Sequence, residues 1–77
     1  MITRGFYRHW KGGVYFVHGI ADLEIDGTVG RAIVVYESIQ GVNDDGRMRA
    51  RSRTDFDALV QDGDGRTVPR FTRIESW

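Results

Sequence analysis

The sequence predicts a small all-β domain, a five-stranded SH3-like barrel or roll with one short helical turn before its last strand. Ten glycines and one proline separate short segments that are rich in β-branched and aromatic residues, as in small all-β proteins. Residues 54–60 interrupt this pattern with helical spacing between the fourth and fifth segments, which favours an SH3-like barrel. In the competing oligonucleotide-binding barrel, the helix usually lies between strands three and four. The 77 residues are predicted to form one domain, residues 1–77, near the lower size limit for an independent core.

The first half of the chain predicts a short strand followed by a long hairpin. Residues 5–10 form the first strand, which ends before two consecutive glycines, Gly12 and Gly13. Residues 14–25 form a long second strand whose last part carries a row of acidic residues, Asp22, Glu24 and Asp26. The dipeptide Asp26-Gly27 predicts a tight turn. Residues 31–39 form the third strand, and its apolar run indicates a central position in the sheet.

The second half predicts a strand, a helical turn and a final strand. Residues 41–46 form a polar loop that leads into the fourth strand. In residues 54–60, Phe56, Leu59 and Val60 lie on one side of a helix, and Thr54 with Asp57 forms a weak capping box. After a turn at residues 62–65, residues 66–74 form the last strand. Pro69 has no amide hydrogen, so this strand is an edge strand or carries a bulge.

Four arginines alternate with small or apolar residues in the fourth strand: Arg47, Arg49, Arg51 and Arg53. Alternation in a strand places them on one face, about 6.5–7 Å apart, with Met48 and Ala50 turned to the core. Such a row repels itself unless acidic partners or a bound anion compensate it. The row therefore indicates binding and not a reaction.

The composition limits the possible functions. Eleven basic residues balance eleven acidic ones, which disfavours generic binding to duplex nucleic acid. Ten of the eleven basic residues are arginine, whose planar guanidinium suits paired contacts with anions. There is no cysteine, so disulfides and thiolate metal sites are excluded, as suits a cytoplasmic protein. The apolar runs are too short for a transmembrane helix or a secretory leader.

Residues for catalysis or metal binding do not form a recognisable pattern. The two histidines, His9 and His18, have no metal-ligand spacing. The serines lie in no nucleophile-elbow context, and the Asp-Gly-Asp-Gly turn at residues 62–65 lacks the downstream glutamate of a calcium loop. The sequence therefore predicts a protein that is not an enzyme and needs no metal or cofactor.

The candidate ligand-binding residues are five basic side chains: Arg8, Lys11, Arg49, Arg51 and Arg70. Residues 7–11 interleave aromatic and basic side chains, which suits a nucleotide or another phosphate-bearing molecule. Alternatively, Tyr7 and either His9 or Trp10 are core residues of a small barrel.

A structural role for the arginines is also open. Glu37 on the neighbouring strand would pair with one of them, or the acidic row of the second strand would meet them in a second copy. The alternative function is therefore a protein-interaction or self-assembling module that uses complementary charged strands.

Several segments resemble a known family of small bacterial and phage domains, catalogued as domain of unknown function 1653. They are Tyr7-Arg8-His9-Trp10-Lys11-Gly12-Gly13, Tyr15 and Val17, Val34-Val35-Tyr36, and Val68-Pro69-Arg70-Phe71. The resemblance covers about residues 5–74 and implies an SH3-like β-roll, but it implies no activity. Where relatives often have Leu-Trp-Val-Arg-Pro, this chain has Met48-Arg49-Ala50-Arg51-Ser52. Only Arg51 matches there, so a surface shared by relatives is expected to differ in this chain.

Overall fold

The computed structural model describes residues 2–41 and 46–75, apart from the side chains of residues 25, 28, 29 and 31. Most of the predicted polar loop at residues 41–46 lies outside these ranges. The strands are β1 (Gly5–His9), β2 (Val14–Ile25), β3 (Thr28–Gln40), β4 (Met48–Ser52), β5 (Leu59–Gln61), β6 (Thr67–Pro69) and β7 (Phe71–Ile74), and the one helix among the described residues is α1 (Arg53–Phe56).

Five strands form one antiparallel sheet in the order β4-β3-β2-β1-β7, and β5 and β6 form a separate hairpin. The prediction of an all-β fold with one short helical turn is confirmed. The turn was predicted before the last strand, and three short strands follow it. In the five-stranded sheet β4 and β7 are the edge strands, and closure into a barrel is not shown.

The long hairpin of β2 and β3 follows the sequence closely. The second strand has the predicted bounds. The third strand begins earlier than predicted, at Thr28, because the turn before it is very short. Asp26 and Gly27 both have positive φ, 52° and 78°, as a two-residue type I′ turn requires. The third strand therefore pairs with the second almost from the turn.

This hairpin extends beyond its neighbours. Strand β1 pairs with β2 only as far as Val17, and β4 pairs with β3 only as far as Ile33. Residues 22–32, called the arm below, therefore project from the sheet, and the molecule measures 44 × 26 × 21 Å.

The helical segment is shorter than predicted, and a serine, Ser52, caps its N-terminus. The hydroxyl of Ser52 accepts a hydrogen bond from the backbone N–H of Asp55 at 3.1 Å, so Ser52 and not Thr54 caps the helix. Leu59 is 65% exposed and begins β5, so it does not share a buried side with Phe56. The reason is tertiary: the N–H of Arg70 donates to the carbonyl of Ala58 and draws this segment into a hairpin.

The predicted last strand is divided in two. Strand β6 ends at Pro69, and β7 begins at Phe71. Because proline cannot donate a backbone hydrogen bond, the chain leaves the β5–β6 hairpin there and joins the edge of the large sheet beside β1.

The core lies on one face of the large sheet, called the inner face. Its cluster of buried residues consists of Ile2, Tyr7, Tyr15, Val17, Val34, Tyr36, Phe56 and Phe71. The ring of Phe56 stacks on that of Phe71 at 4.1 Å with an interplanar angle of 2°. Helix α1 therefore covers part of the inner face, and Tyr7 is a core residue as its alternative interpretation predicted.

Candidate anion-binding groove

The arginines of β4 face the opposite side from the one predicted. Residues directly opposite each other in an antiparallel pair lie on the same face. Arg49 pairs with Tyr36 and Arg51 with Val34, and both partners are buried core residues. Arg49 and Arg51 therefore lie on the inner face.

The prediction that Met48 and Ala50 turn to the core is wrong. Met48 is 58% exposed, and Ala50 is exposed as well. The row of four is also reduced to two, because Arg47 precedes the strand and Arg53 begins α1. Long arginine side chains tolerate the inner face at an edge strand, since their stems cover apolar surface while their heads reach water.

The inner face opens beside β4 into a groove of about 740 Å³. Its lining residues come from the end of β1, the β1–β2 turn, the start of β2, the second half of β3 and the residue after it, β4 and β7. Those among the described residues are Arg8, His9, Lys11, Gly12, Gly13, Tyr15, Tyr36, Gln40, Gly41, Arg49, Arg51 and Phe71. Among the described residues that line the groove, four are cations and none is an aspartate or glutamate. A concave surface lined by charges of one sign concentrates oppositely charged ligands.

Arg51 is held in place by three contacts. Its Nε donates to the hydroxyl of Tyr36 at 3.2 Å, and its Nη1 donates to Oδ2 of Asp55 at 2.7 Å. Its guanidinium also lies 5.8 Å from the ring centre of Phe71. Burial opposes the charged form, but the bonds to Tyr36 and Asp55 outweigh it, so the pKa of Arg51 is raised. The cation is therefore positioned before any ligand arrives.

His9 contributes a neutral donor to the groove. The backbone N–H of Lys11 donates to Nδ1 of His9 at 3.1 Å, so the imidazole proton belongs on Nε2. Burial lowers the pKa of His9, and the positive charges of Arg51, Arg70 and Lys11 lower it further. The ring is therefore neutral at neutral pH, with an Nε2–H able to donate to an anion.

The lowered pKa of His9 predicts how stability depends on pH. Below the ordinary histidine pKa of 6.5, the unfolded chain binds a proton that folded His9 resists, so stability falls as the pH decreases. Thermal unfolding from about pH 8 to about pH 5 is expected to show a smaller decline for His9→Gln than for the wild-type protein. A constant difference between the two unfolding temperatures at all pH values would contradict this role.

Two glycines allow the walls of the groove to approach each other. A Cβ on Gly13 would lie 3.3 Å from the carbonyl oxygen of Gln40, and one on Gly41 would lie 3.1 Å from Cα of Gly13. Gly41 also has φ of 136°, which side-chain-bearing residues rarely adopt. The β1–β2 turn and the end of β3 therefore pack backbone against backbone, and this places Arg8 and Lys11 at the same groove as β4.

Arg70 is the one predicted binding residue that does not line the groove. Its Nε donates to the backbone carbonyl of Asp55 at 3.1 Å, and its Nη2 lies 3.6 Å from Oδ1 of Asp55. Arg70 therefore ties the end of β6 to α1. The structure brings together the other four predicted residues: Arg8, Lys11, Arg49 and Arg51.

The groove also contains residues that were not predicted as site residues, among them His9, Tyr36 and Gln40. Tyr36 lies in an apolar run, and only its hydrogen bond from Arg51 separates it from an ordinary core tyrosine. Gln40 carried no local signal, because its groove neighbours are distant in sequence. For His9 the interleaved aromatic and basic residues around it were the available signal.

Two further features are absent from residues 2–41 and 46–75. No group of three or more histidine, aspartate or glutamate side chains there is arranged to hold a metal ion. No helix in the same ranges has the length and apolar character required to span a membrane.

Comparisons with known proteins agree on one family. The family model described as "Protein of unknown function (DUF1653)" matches residues 5–73. The crystal structure of a DUF1653 protein from Bordetella bronchiseptica is similar to this chain, with a TM-score of 0.74 and 29% sequence identity over 99% of this chain and 91% of that one. The search of curated proteins found no match.

Proposed function

We propose that this chain, which belongs to the DUF1653 family, is a non-enzymatic binding module for a small anion, a nucleotide or another phosphate-bearing molecule. One observation carries the proposal. Arg8, Lys11, Arg49 and Arg51 line one groove, and no carboxylate among the described residues lines it with them.

Convergence of these cations costs folding free energy unless an anion compensates it, because like charges repel at short range. Asp55 offsets part of the charge of Arg51. A bound phosphate group adds negative charge and accepts several charge-assisted hydrogen bonds, each of about 1.5–3 kcal/mol. Arginine is suited to this role because its fork contacts two oxygens at once.

The groove is larger than a single phosphate requires. Its volume of about 740 Å³ lies within the range of about 300–1,000 Å³ that is usual for small-molecule sites. Four residues with rings, His9, Tyr15, Tyr36 and Phe71, also line it. These features favour an organic phosphate with a ring system, such as a nucleotide, over inorganic phosphate alone.

Calorimetric titration with AMP, ATP, short oligonucleotides and adenosine tests the proposal. We expect AMP and ATP to bind, with affinity that falls as salt rises because the contacts are ionic. Adenosine has the same base without phosphate and is expected to bind at least about tenfold more weakly, which corresponds to about 1.4 kcal/mol. Equal binding of AMP and adenosine, or no binding of any phosphate compound at millimolar concentration, would refute an anion-binding role.

A further inference from the structure

The arm carries the opposite charge from the groove. Asp22, Glu24 and Asp26 are exposed along it, and Leu23 between them is 41% exposed. Three carboxylates with an accessible apolar side chain thus project from a chain whose formal net charge is zero. Among the described residues, four cations line the groove, and three carboxylates of the opposite charge lie on the arm.

The tip of the arm cannot reach the groove of its own chain. Gly13 and Gln40 line the groove at one end of the β2–β3 hairpin, and Asp26 lies at the other end. Strand β2 has 12 residues between them, which span about 40 Å. Asp26, at the tip of the arm, therefore meets these cations only in a second molecule.

Asp22, the first residue of the arm, lies on the same face of the sheet as the groove. Ile20 pairs with Val34, and the register continues without a shift to Asp22, which pairs with Ala32. Asp22 is thus on the face of Val34, and the partner of Val34 on the next strand is the groove residue Arg51. Consider two copies whose inner faces oppose each other and whose long axes run antiparallel. Each copy then places its arm at the groove of the other, as a closed two-fold dimer requires.

We infer that the acidic arm of a second copy occupies the groove, so that the protein forms a reciprocal dimer that its anionic ligand dissociates. The inference rests on the proposed function, because the same cations hold either the carboxylates or the ligand. This contact differs from the predicted pairing of the acidic row with a row of four arginines, because Arg47 and Arg53 do not lie on β4.

Sedimentation velocity tests this inference. The wild-type protein is expected to dimerise at low salt, and the dimer is expected to dissociate at high salt and on addition of AMP. The variant Asp22→Asn/Glu24→Gln/Asp26→Asn is expected to be monomeric at every concentration tested. Asparagine tolerates the positive φ of position 26, so the turn is retained.

A matched variant controls for net charge. Asp57→Asn/Asp64→Asn/Glu75→Gln removes the same number of carboxylates from exposed positions outside the arm and is expected to dimerise like the wild-type protein. A wild-type monomer at low salt and high protein concentration would overturn the inference, and so would a dimer that the arm variant leaves intact.

AMP titration of the arm variant separates this inference from the proposed function. At protein concentrations where the wild type is dimeric, the variant is expected to bind AMP more tightly, because the competing arm is absent. If the wild type is monomeric but the arm variant binds AMP, the arm inference fails and the binding function stands. If the arm variant abolishes a dimer but neither protein binds AMP, the binding function fails and the arm contact stands.

Discussion

Replacing Arg49 and Arg51 together by alanine is expected to weaken AMP binding by about 100-fold, because two charge-assisted contacts of about 1.5 kcal/mol each are lost. Both arginines lie on the inner face beside the groove. The measurement is calorimetric titration of the wild-type protein and the double variant with AMP under identical salt conditions.

The matched control is Arg53→Ala/Arg66→Ala. Both arginines are exposed and neither lines the groove, so this variant loses the same charge without changing the site. We expect its affinity to remain within about twofold of wild type, since distant exposed charges are screened. Equal weakening by the two double variants would mean that net charge, and not the groove, attracts the ligand.

A second comparison addresses the fold of the groove variant. Arg51 bonds to Tyr36 and Asp55, so its loss affects the groove wall as well as the charge. Arg49→Lys/Arg51→Lys keeps both charges and removes the planar fork, and we expect an intermediate affinity. Thermal unfolding of each variant identifies any loss that comes from unfolding.

Phe56→Ala is expected to destabilise the folded protein by about 3–5 kcal/mol, the usual cost of removing a buried phenylalanine ring. Phe56 is 2% exposed, stacks on Phe71 and contacts Tyr7 and Tyr36 edge-on. It is the one buried residue of α1, so its ring is what attaches the helix to the core. In a domain this small, such a loss is a large share of the total stability.

Urea denaturation measures this effect. The control Leu59→Ala changes a residue of comparable apolar character that is 65% exposed, and we expect it to alter the free energy of unfolding by no more than about 0.5 kcal/mol. A destabilisation below about 1 kcal/mol for Phe56→Ala would mean that α1 does not close the inner face.

The sequence predicted the elements of β2 and β3 well because their signals are local. An Asp-Gly turn and strand alternation both act over a few residues. Strand β4 was also predicted from alternation, but alternation defines two faces without stating which one is buried. The apolar character of Met48 favoured the face of Met48 as the buried one. Pairing with Val34 and Tyr36 instead put the arginines on the inner face.

Tertiary contacts explain the remaining differences. Helical spacing continued past Phe56 in the sequence, but the bond from Arg70 to Ala58 ends the helix after one turn. Arg70 was predicted to bind ligand because no local feature reveals that Asp55, 15 residues away, already holds it. Arg8 and Lys11 were identified by type, and their convergence with Arg49 and Arg51 depends on backbone contact at Gly13 and Gly41.

The most direct test of the account is an NMR titration with AMP that follows the side-chain Nε–Hε signals of the arginines. The groove predicts saturable shifts for Arg49 and Arg51, together with backbone shifts at Lys11 and Gly13, while Arg53 and Arg66 remain unchanged. Shifts centred on Arg53 or Arg66, or small shifts of all arginines in proportion, would contradict an anion site in the groove.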